Sequence, residues 1–250
     1  MAGAFVQALL TGQSKTAGTS LVLSGSKTVT AGNTIFLAFA SDDVGSGYSV
    51  TDNLGNTYSV VEGPTVQSGA VKTTLWCAPI TTGGTLTTIT VSWTTNATAK
   101  AAVSGEFSGV GTLSTVGGGV ANPGAAICVS VYNKTVPANG LAVGAHGYET
   151  PTTDDIACSG SSGTPALTMV EVGQDGTTGS GAASNITAEL GYALGTTSDS
   201  TGFYLQAQDM TSSSRANAGA GGVYNPVAAG ESFVNRSRLV SQAVQRAAVW

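Results

Sequence analysis

The chain has 250 residues, of which 41% are hydrophobic and only 9% are Asp, Glu, Lys or Arg. Ordinary soluble domains carry about 25% charged residues, so this surface is polar but nearly uncharged, and burying it against another protein costs little desolvation. The net charge of −5 argues against nucleic acid as a ligand, and no run approaches the roughly 20 apolar residues of a membrane span.

The N-terminal segment 1–18 has no basic start and only a short apolar stretch, so we expect no signal peptide. The three cysteines, Cys77, Cys128 and Cys158, are widely spaced and odd in number. This pattern does not support a disulfide framework or a zinc site. We expect synthesis in a reducing place, with Cys77 and Cys128 on buried strands and Cys158 in a loop.

Short runs rich in Val, Ile, Thr and aromatic residues alternate with Gly, Asn, Asp and Ser turns over most of the chain. This pattern predicts about fourteen antiparallel strands in an all-β sandwich. The predicted strands are 20–23, 27–30, 34–40, 48–51, 57–62, 71–77, 86–93, 100–109, 126–132, 140–148, 167–172, 186–194, 202–208 and 215–224.

The chain also repeats itself: KTVTAGNTIFLAF at 27–39 is echoed by KTVPANGLAVGA at 134–145. We therefore predict a β-sandwich domain over 1–230, built from two pseudo-repeats at about 17–113 and 125–227. A single sandwich to whose sheets both repeats contribute is the more economical arrangement, because half a chain alone would leave long edges exposed. Two small tandem sandwiches are the alternative.

Residues 231–250, ESFVNRSRLVSQAVQRAAVW, break the strand pattern with apolar residues at helical spacing. One interpretation is a terminal helix that packs on its own sandwich. The other is a docking arm for a neighbouring subunit, favoured by the terminal tryptophan, which would need a pocket. The predicted partner-binding residues are Arg236, Arg238, Leu239, Val240, Val244, Arg246 and Trp250.

Residues able to carry catalysis are few, and we expect no catalytic residue, cofactor or metal ligand. His146 is the only histidine, and its surroundings predict a buried strand rather than a catalytic triad. Glu106 lies in a strand-like run and is expected either to be paired in the core or to line a subunit contact. The acid pairs Asp42-Asp43 and Asp154-Asp155 are expected to be solvated loop tips, with calcium as the functional alternative.

One motif covers roughly residues 27–110: an Ala-Gly-Asn turn before an apolar strand, then Thr-Asp-x-x-Gly-Asn-x-Tyr, a Trp strand, a Gly-Gly turn and a closing Glu-Phe-Ser-Gly. It resembles a jelly-roll-like β-sandwich module of tailed-phage virion proteins and some bacterial surface proteins. The resemblance implies a sandwich on a particle exterior, and it implies no catalytic residue. The matching residues are Ala31, Gly32, Asn33, Thr51, Asp52, Gly55, Asn56, Tyr58, Trp76, Gly83, Gly84, Glu106, Phe107, Ser108 and Gly109.

We therefore expect a non-enzymatic phage virion protein, made in the host cytoplasm, that decorates or cements the capsid through multivalent contacts. Its expected partners are the major capsid protein or other virion proteins, and further copies of itself, as a trimer. A tail-associated protein or a carbohydrate-binding adhesin that contacts a surface glycan is the alternative, and a hydrolase is the third class.

Overall fold

Most of the described chain is β-strand. The computed structural model describes residues 1–42, 46–67, 69–117, 127–150, 156–158, 163–179, 184–209 and 215–227. The strands of the first half are β1 (Ala4–Ser14), β2 (Gly18–Val29), β3 (Thr34–Asp42), β4 (Ser49–Asp52), β5 (Ser59–Gln67), β6 (Val71–Pro79), β7 (Gly84–Ala97) and β8 (Lys100–Ser108).

The second half repeats this series with similar strand lengths. Its strands are β9 (Val110–Val116), β10 (Ile127–Val136), β11 (Leu141–Tyr148), β12 (Ile156–Cys158), β13 (Met169–Gly176), β14 (Thr187–Leu194), β15 (Ser200–Asp209) and β16 (Asn217–Pro226). Cys158, expected in a loop, therefore ends a short strand.

The strands pair into four antiparallel sheets, and each half has the same strand order. The first half forms an inner sheet, β1-β8-β3-β6-β5, and an outer sheet, β2-β7-β4. The second half forms an inner sheet, β9-β16-β11-β14-β13, and an outer sheet, β10-β15-β12. Adding eight to each strand number of the first half reproduces the second, so the fold is an internally duplicated, jelly-roll-like β-sandwich.

Three apolar layers hold the four sheets together in a stack. The first core, which includes Leu23, Phe39 and Ile89, lies between the first outer and first inner sheets. A second core lies between the two inner sheets and includes Phe36 from one and Tyr192 from the other. A third core lies between the second inner and second outer sheets. The two outer sheets therefore face in opposite directions.

The contact between the inner sheets relates the two halves by a pseudo-two-fold axis. Strand β8 packs on β14, β6 packs on β16, and β3 packs on β11. Because β14 corresponds to β6 and β16 to β8, each contact has a mate in which the roles are exchanged. This is the arrangement of an isologous dimer interface, here within one chain.

Aromatic rings fill the centre of this contact. Phe107 packs edge-to-face on Tyr192 with ring centroids 5.2 Å apart, and Phe36 packs on Phe107 at 5.4 Å and on Tyr224 at 5.1 Å. Phe5 stacks on Tyr192 at 5.4 Å. Rings in these geometries contribute beyond their buried area, so the two sandwiches are joined by a well-packed core.

Glycines on β16 allow this strand to pack closely against β10 of the second outer sheet. A Cβ on Gly219 would lie 2.4 Å from the carbonyl oxygen of Val129 on β10, and one on Gly221 would lie 2.6 Å from that of Ser130. Real side chains do not tolerate such distances, so this part of β16 requires glycine. The small-residue run NAGAGG thus sets how closely β16 approaches the outer sheet.

The strand pairing differs from the expected single sandwich with shared sheets. In the described residues no sheet mixes β1–β8 with β9–β16, so the arrangement corresponds to the alternative of two sandwiches, packed face to face. The second set of sheets begins at Val110, since β9 pairs with β16. The predicted C-terminal helix, 231–250, lies outside the described residues.

Candidate functional site

The segment that the sequence singles out for partner binding lies outside the described residues. This applies to all seven predicted residues, namely Arg236, Arg238, Leu239, Val240, Val244, Arg246 and Trp250. The last described residue, Val227, exchanges backbone hydrogen bonds with Met1: the Val227 N–H donates to the Met1 oxygen at 3.1 Å, and the Met1 amino group donates back. The segment thus follows a residue that is fixed beside Met1.

Glu106 is an internal anchor of the first sandwich. It is fully buried, and its carboxylate accepts hydrogen bonds from Gln7 Nε2 at 2.7 Å, Thr30 N at 2.9 Å and Asn33 Nδ2 at 2.6 Å. A buried carboxylate with three donors is stabilised in place. Of the two expected roles, pairing in the core is the one observed, and Glu106 ties β8 to β1 and to the turn before β3.

His146 lies inside the second sandwich, opposite Glu189 on the neighbouring strand β14. Both side chains are fully buried, and His146 Nδ1 is hydrogen-bonded to Glu189 Oε2. His146 Nε2 is also buried and has no hydrogen-bond partner among the described residues. The expectation that His146 is a buried strand histidine agrees with this position; the Glu189 partner was not foreseen.

Cys128 and Tyr148 lie in the same core, towards the end of β11. The Tyr148 hydroxyl donates to the Ala207 carbonyl at 2.6 Å and accepts from the Cys128 N–H at 3.0 Å. Burial, and then the nearby Glu189 carboxylate, raise the pKa of the Cys128 thiol well above its usual value, against an opposing effect of the Gly147 backbone. A raised pKa keeps the thiol protonated, which disfavours a nucleophilic role.

The Asp52–Asn56 segment is a hydrogen-bonded turn. Asp52 Oδ1 accepts from the N–H groups of Leu54 and Asn56 at 2.9 and 3.0 Å, and Oδ2 accepts from Asn56 Nδ2 at 2.8 Å and Tyr58 at 3.1 Å. Gly55 takes a φ of 72°, which favours glycine. The motif residues Asp52, Gly55, Asn56 and Tyr58 therefore build the turn.

The acid pairs are only partly described, because Asp43, Asp154 and Asp155 lie outside the described residues. Asp42 Oδ2 accepts from the N–H groups of Thr98 and Ala99 at 3.0 and 2.8 Å, so this carboxylate caps the β7–β8 turn. Within the described ranges, no three or more His, Cys, Asp or Glu side chains are grouped closely enough to hold a metal ion.

The outer face of the first outer sheet carries a regular set of small, uncharged side chains. Its side chains alternate with the buried Leu21, Leu23, Ile89 and Val91, so they point away from the core. Strand register aligns them in rows: Ser20 faces Ser92, which also faces Ser49, and Thr90 lies between Val22 and Thr51.

We call this surface the hydroxyl face. Its members are Ser20, Val22, Ser24, Ser49, Thr51, Thr88, Thr90, Ser92 and Thr94. All are Ser, Thr or Val, with neighbouring strands about 4.8 Å apart. Such a regular, charge-free surface is suited to binding, since a partner can cover it without desolvating a charge.

Comparisons of the chain with protein families, with curated proteins and with solved structures gave no match. No helix in the described part of the chain is long and apolar enough to cross a membrane. The structure shows a duplicated antiparallel β-sandwich. A fold of this kind does not by itself define a function, which depends on the residues at its surfaces.

Proposed function

We propose that this protein is a non-enzymatic structural subunit of a tailed-phage virion that decorates or cements the head surface. The hydroxyl face carries the proposal. Its outward side chains on β2, β7 and β4 are uncharged and stand in register across three strands. Covering it against capsid protein costs little desolvation, and repeated copies on a symmetric particle turn weak contacts into stable attachment.

The rigid stack supports the same function. A decoration subunit must transmit contacts without deforming, and the aromatic core between the inner sheets joins the two sandwiches into one block. The charged groups that the sequence offered for chemistry stabilise this block: Glu106 binds three donors, and His146 pairs with Glu189 inside the core. The resemblance of residues 27–110 to virion modules is the third support.

We propose that residues 231–250 provide a second contact, through the partner-binding residues predicted above. The bulk of the chain is acidic: the whole carries 14 Asp and Glu against 9 Lys and Arg, yet three arginines lie in this segment. An arginine-bearing arm next to an uncharged face combines electrostatic and apolar contacts. We expect the protein to form a trimer, and sedimentation of the purified protein measures this.

The experiment uses particles produced by a phage from which the gene for this protein has been deleted. The purified protein is then added to these particles. We expect the intact protein to co-sediment with the particles and to appear at symmetric head positions in an electron cryomicroscopy map. Density on the tail would replace head by tail attachment, and failure to bind any part of the particle would overturn the proposal.

Two variants test the contacts. Replacing Thr90 and Thr51 together by lysine puts two charges in the hydroxyl face, and we expect at least roughly tenfold weaker particle binding. Ser114→Lys, on the exposed part of β9, is the matched control and should bind normally. Removing residues 231–250 leaves every described strand intact and should also weaken binding without changing the melting temperature.

A further inference from the structure

The outer face of the second outer sheet differs from the hydroxyl face because it carries two tyrosines. Tyr132 on β10 is 51% exposed, and its ring packs edge-to-face on Tyr204 of β15 with centroids 5.0 Å apart and planes at 86°. The inward neighbours of this pair, Val131 and Leu205, are fully buried on the other side of the sheet. The tyrosines therefore contribute little to the core.

The first sandwich has small hydroxyl residues at the same place. Leu23 and Ile89 form the inward pair in the first outer sheet, and Ser24 faces Thr88 just beyond it. Val131 and Leu205 form the corresponding pair in the second, followed by Tyr132 and Tyr204. Since Ser and Thr satisfy the scaffold in the first sandwich, the strand pairing does not require the exposed ring of Tyr132 or the half-buried ring of Tyr204.

Carboxamides flank the tyrosine pair on β15 and β10. Gly202, Tyr204 and Gln206 point to the same outer face, because they alternate with the buried Phe203 and Leu205. The side chain of Asn133 lies over Gly202: a Cβ built on this glycine would be 3.7 Å from Asn133 Oδ1.

The backbone around Asn133 is unusual in the same place. Asn133 has a φ of 49° and Gly202 a φ of 66°, both in the left-handed region. The β10–β15 register is irregular between Val131 and Lys134, and Asn is a residue that adopts this conformation readily at such a bulge. Asn133 directly follows Tyr132 on β10, and Gln206 lies two residues beyond Tyr204 on β15.

We propose that this surface, formed by Tyr132, Tyr204, Asn133 and Gln206, binds a neutral saccharide. A sugar ring has one face of C–H groups that packs on the negative face of an aromatic ring. Its hydroxyl groups both donate and accept hydrogen bonds, which matches the carboxamides of Asn and Gln. The platform is thus complementary to a sugar in its apolar centre and in its polar rim.

The size of the platform favours a saccharide over a protein. A stable protein interface needs roughly 800 Å² from each partner. Two rings with two amides beside them provide room for one or two sugar units. Because the two outer sheets face in opposite directions, this surface stays accessible when the hydroxyl face is covered, and the inference is independent of particle attachment.

The test begins with an array of neutral and acidic oligosaccharides, followed by calorimetric titration of the intact protein with the strongest neutral ligand. We expect binding to a neutral saccharide, weakened at least about tenfold in the Tyr132→Ser, Tyr204→Thr double variant. That variant gives the second face the residues of the first. Val22→Ser, on the hydroxyl face, is the control and should bind the sugar normally.

Binding of no neutral saccharide, preference for acidic glycans, or full affinity in the double variant would each overturn the inference. If the double variant does not fold, Tyr132→Ser alone gives the answer, because this ring is half exposed. Particle co-sedimentation of the same variant separates the two proposals: it should be unchanged whether or not sugar binding is lost.

Discussion

At the centre of the first sandwich Phe39 lies opposite Thr74, whereas at the same place in the second His146 lies opposite Glu189. The first pair belongs to an aromatic core in which Phe39 packs on Trp93 at 5.4 Å. The second belongs to a core of buried polar groups. The same strand order therefore accommodates either a Phe–Thr pair or a buried His–Glu pair in the core.

On the outer surfaces the aromatic pair lies on the second sandwich, whereas the aromatic residue at the core position compared above lies in the first. The sandwich with the aromatic core has the hydroxyl face outside, and the sandwich with the polar core carries the Tyr132–Tyr204 pair on its outer face. The same strand pairing therefore accommodates different residues both inside and outside the sandwich. Four substitutions test this difference between the two sandwiches.

The largest effect is expected for Phe107→Ala, which removes a fully buried ring from the contact between the sandwiches. Loss of the packing on Phe36 and Tyr192 should lower the free energy of unfolding by about 4 kcal/mol. Trp76 and Trp93 both lie in the first sandwich, so in a Trp250→Phe background tryptophan fluorescence reports that half and circular dichroism reports both.

We expect the urea midpoints measured by fluorescence and by circular dichroism to decrease together, because the contact between the inner sheets couples the two sandwiches. Val170→Ala, at an exposed position of β13, is the control and should cost far less. A fluorescence transition that does not move in Phe107→Ala would mean that the first sandwich is stable without its neighbour.

His146→Phe tests the exchange of one core chemistry for the other. It leaves the buried Glu189 without its imidazole partner, which should cost about 3 kcal/mol. Adding Glu189→Thr recreates the Phe39–Thr74 pair of the first sandwich and should recover most of the loss. Thermal unfolding of the two variants measures this, and a double variant no more stable than the single one would contradict it.

Gly219→Ala tests the closure of the second sandwich. The corresponding residue of the first is Ala102, since Phe39 pairs with Ala102 and His146 with Gly219. A Cβ on Gly219 would meet the Val129 carbonyl, and the forced shift should cost about 1–3 kcal/mol. Gly173→Ala is the control, because its Cβ would lie 3.7 Å from Val103. Equal calorimetric melting temperatures for both variants would refute the argument.

The smallest effect concerns Glu149, which follows β11 as Asp42 ends β3. Burial, and then the Asp42 charge, raise the pKa of Glu149 above its ordinary 4.5, while Arg215 opposes the shift. Between the unfolded and the folded pKa of Glu149, the folded protein binds more protons than the unfolded chain. The free energy of unfolding therefore decreases as the pH rises past the unfolded pKa of Glu149.

Glu149→Gln should remove this contribution. Because the side chain is partly exposed, the gain at neutral pH should stay below about 0.5 kcal/mol. Denaturant unfolding from about pH 4 to about pH 7 measures it. Parallel stability curves for the variant and the parent would show that the charge of Glu149 is fully screened.

Much of the fold could be predicted from the sequence, because strand alternation is a local signal. In β7, apolar Ile89, Val91 and Trp93 alternate with Thr and Ser, and the structure buries all three. Strands β1 and β9 are absent from the predicted set, because segment 1–18 has only a short apolar stretch and β9 leads into the glycine run 117–119.

The sequence contains a pattern that indicates the stacking of two sandwiches. Strands β3 and β11 are continuous apolar or small-residue runs, buried at almost every position. A strand in a simple two-layer sandwich alternates, whereas one covered on both faces does not. These two runs therefore indicated a third layer.

The candidate surfaces were less accessible to prediction. The His146–Glu189 pair and the Tyr132–Tyr204 pair each join residues that are distant in sequence and adjacent only through strand register. Sequence placed the individual residues on strands, but the register that brings them together depends on pairing across the whole sheet.

The pseudo-two-fold contact between the inner sheets bears on the origin of the chain. A half-length ancestor with one sandwich would have formed a homodimer through the same surface, and both of its outer faces would have been obliged to remain identical. In a single chain that contains both halves, this constraint does not apply. Each outer face could then mutate without its twin, which makes a molecule with two different sides from a symmetric one.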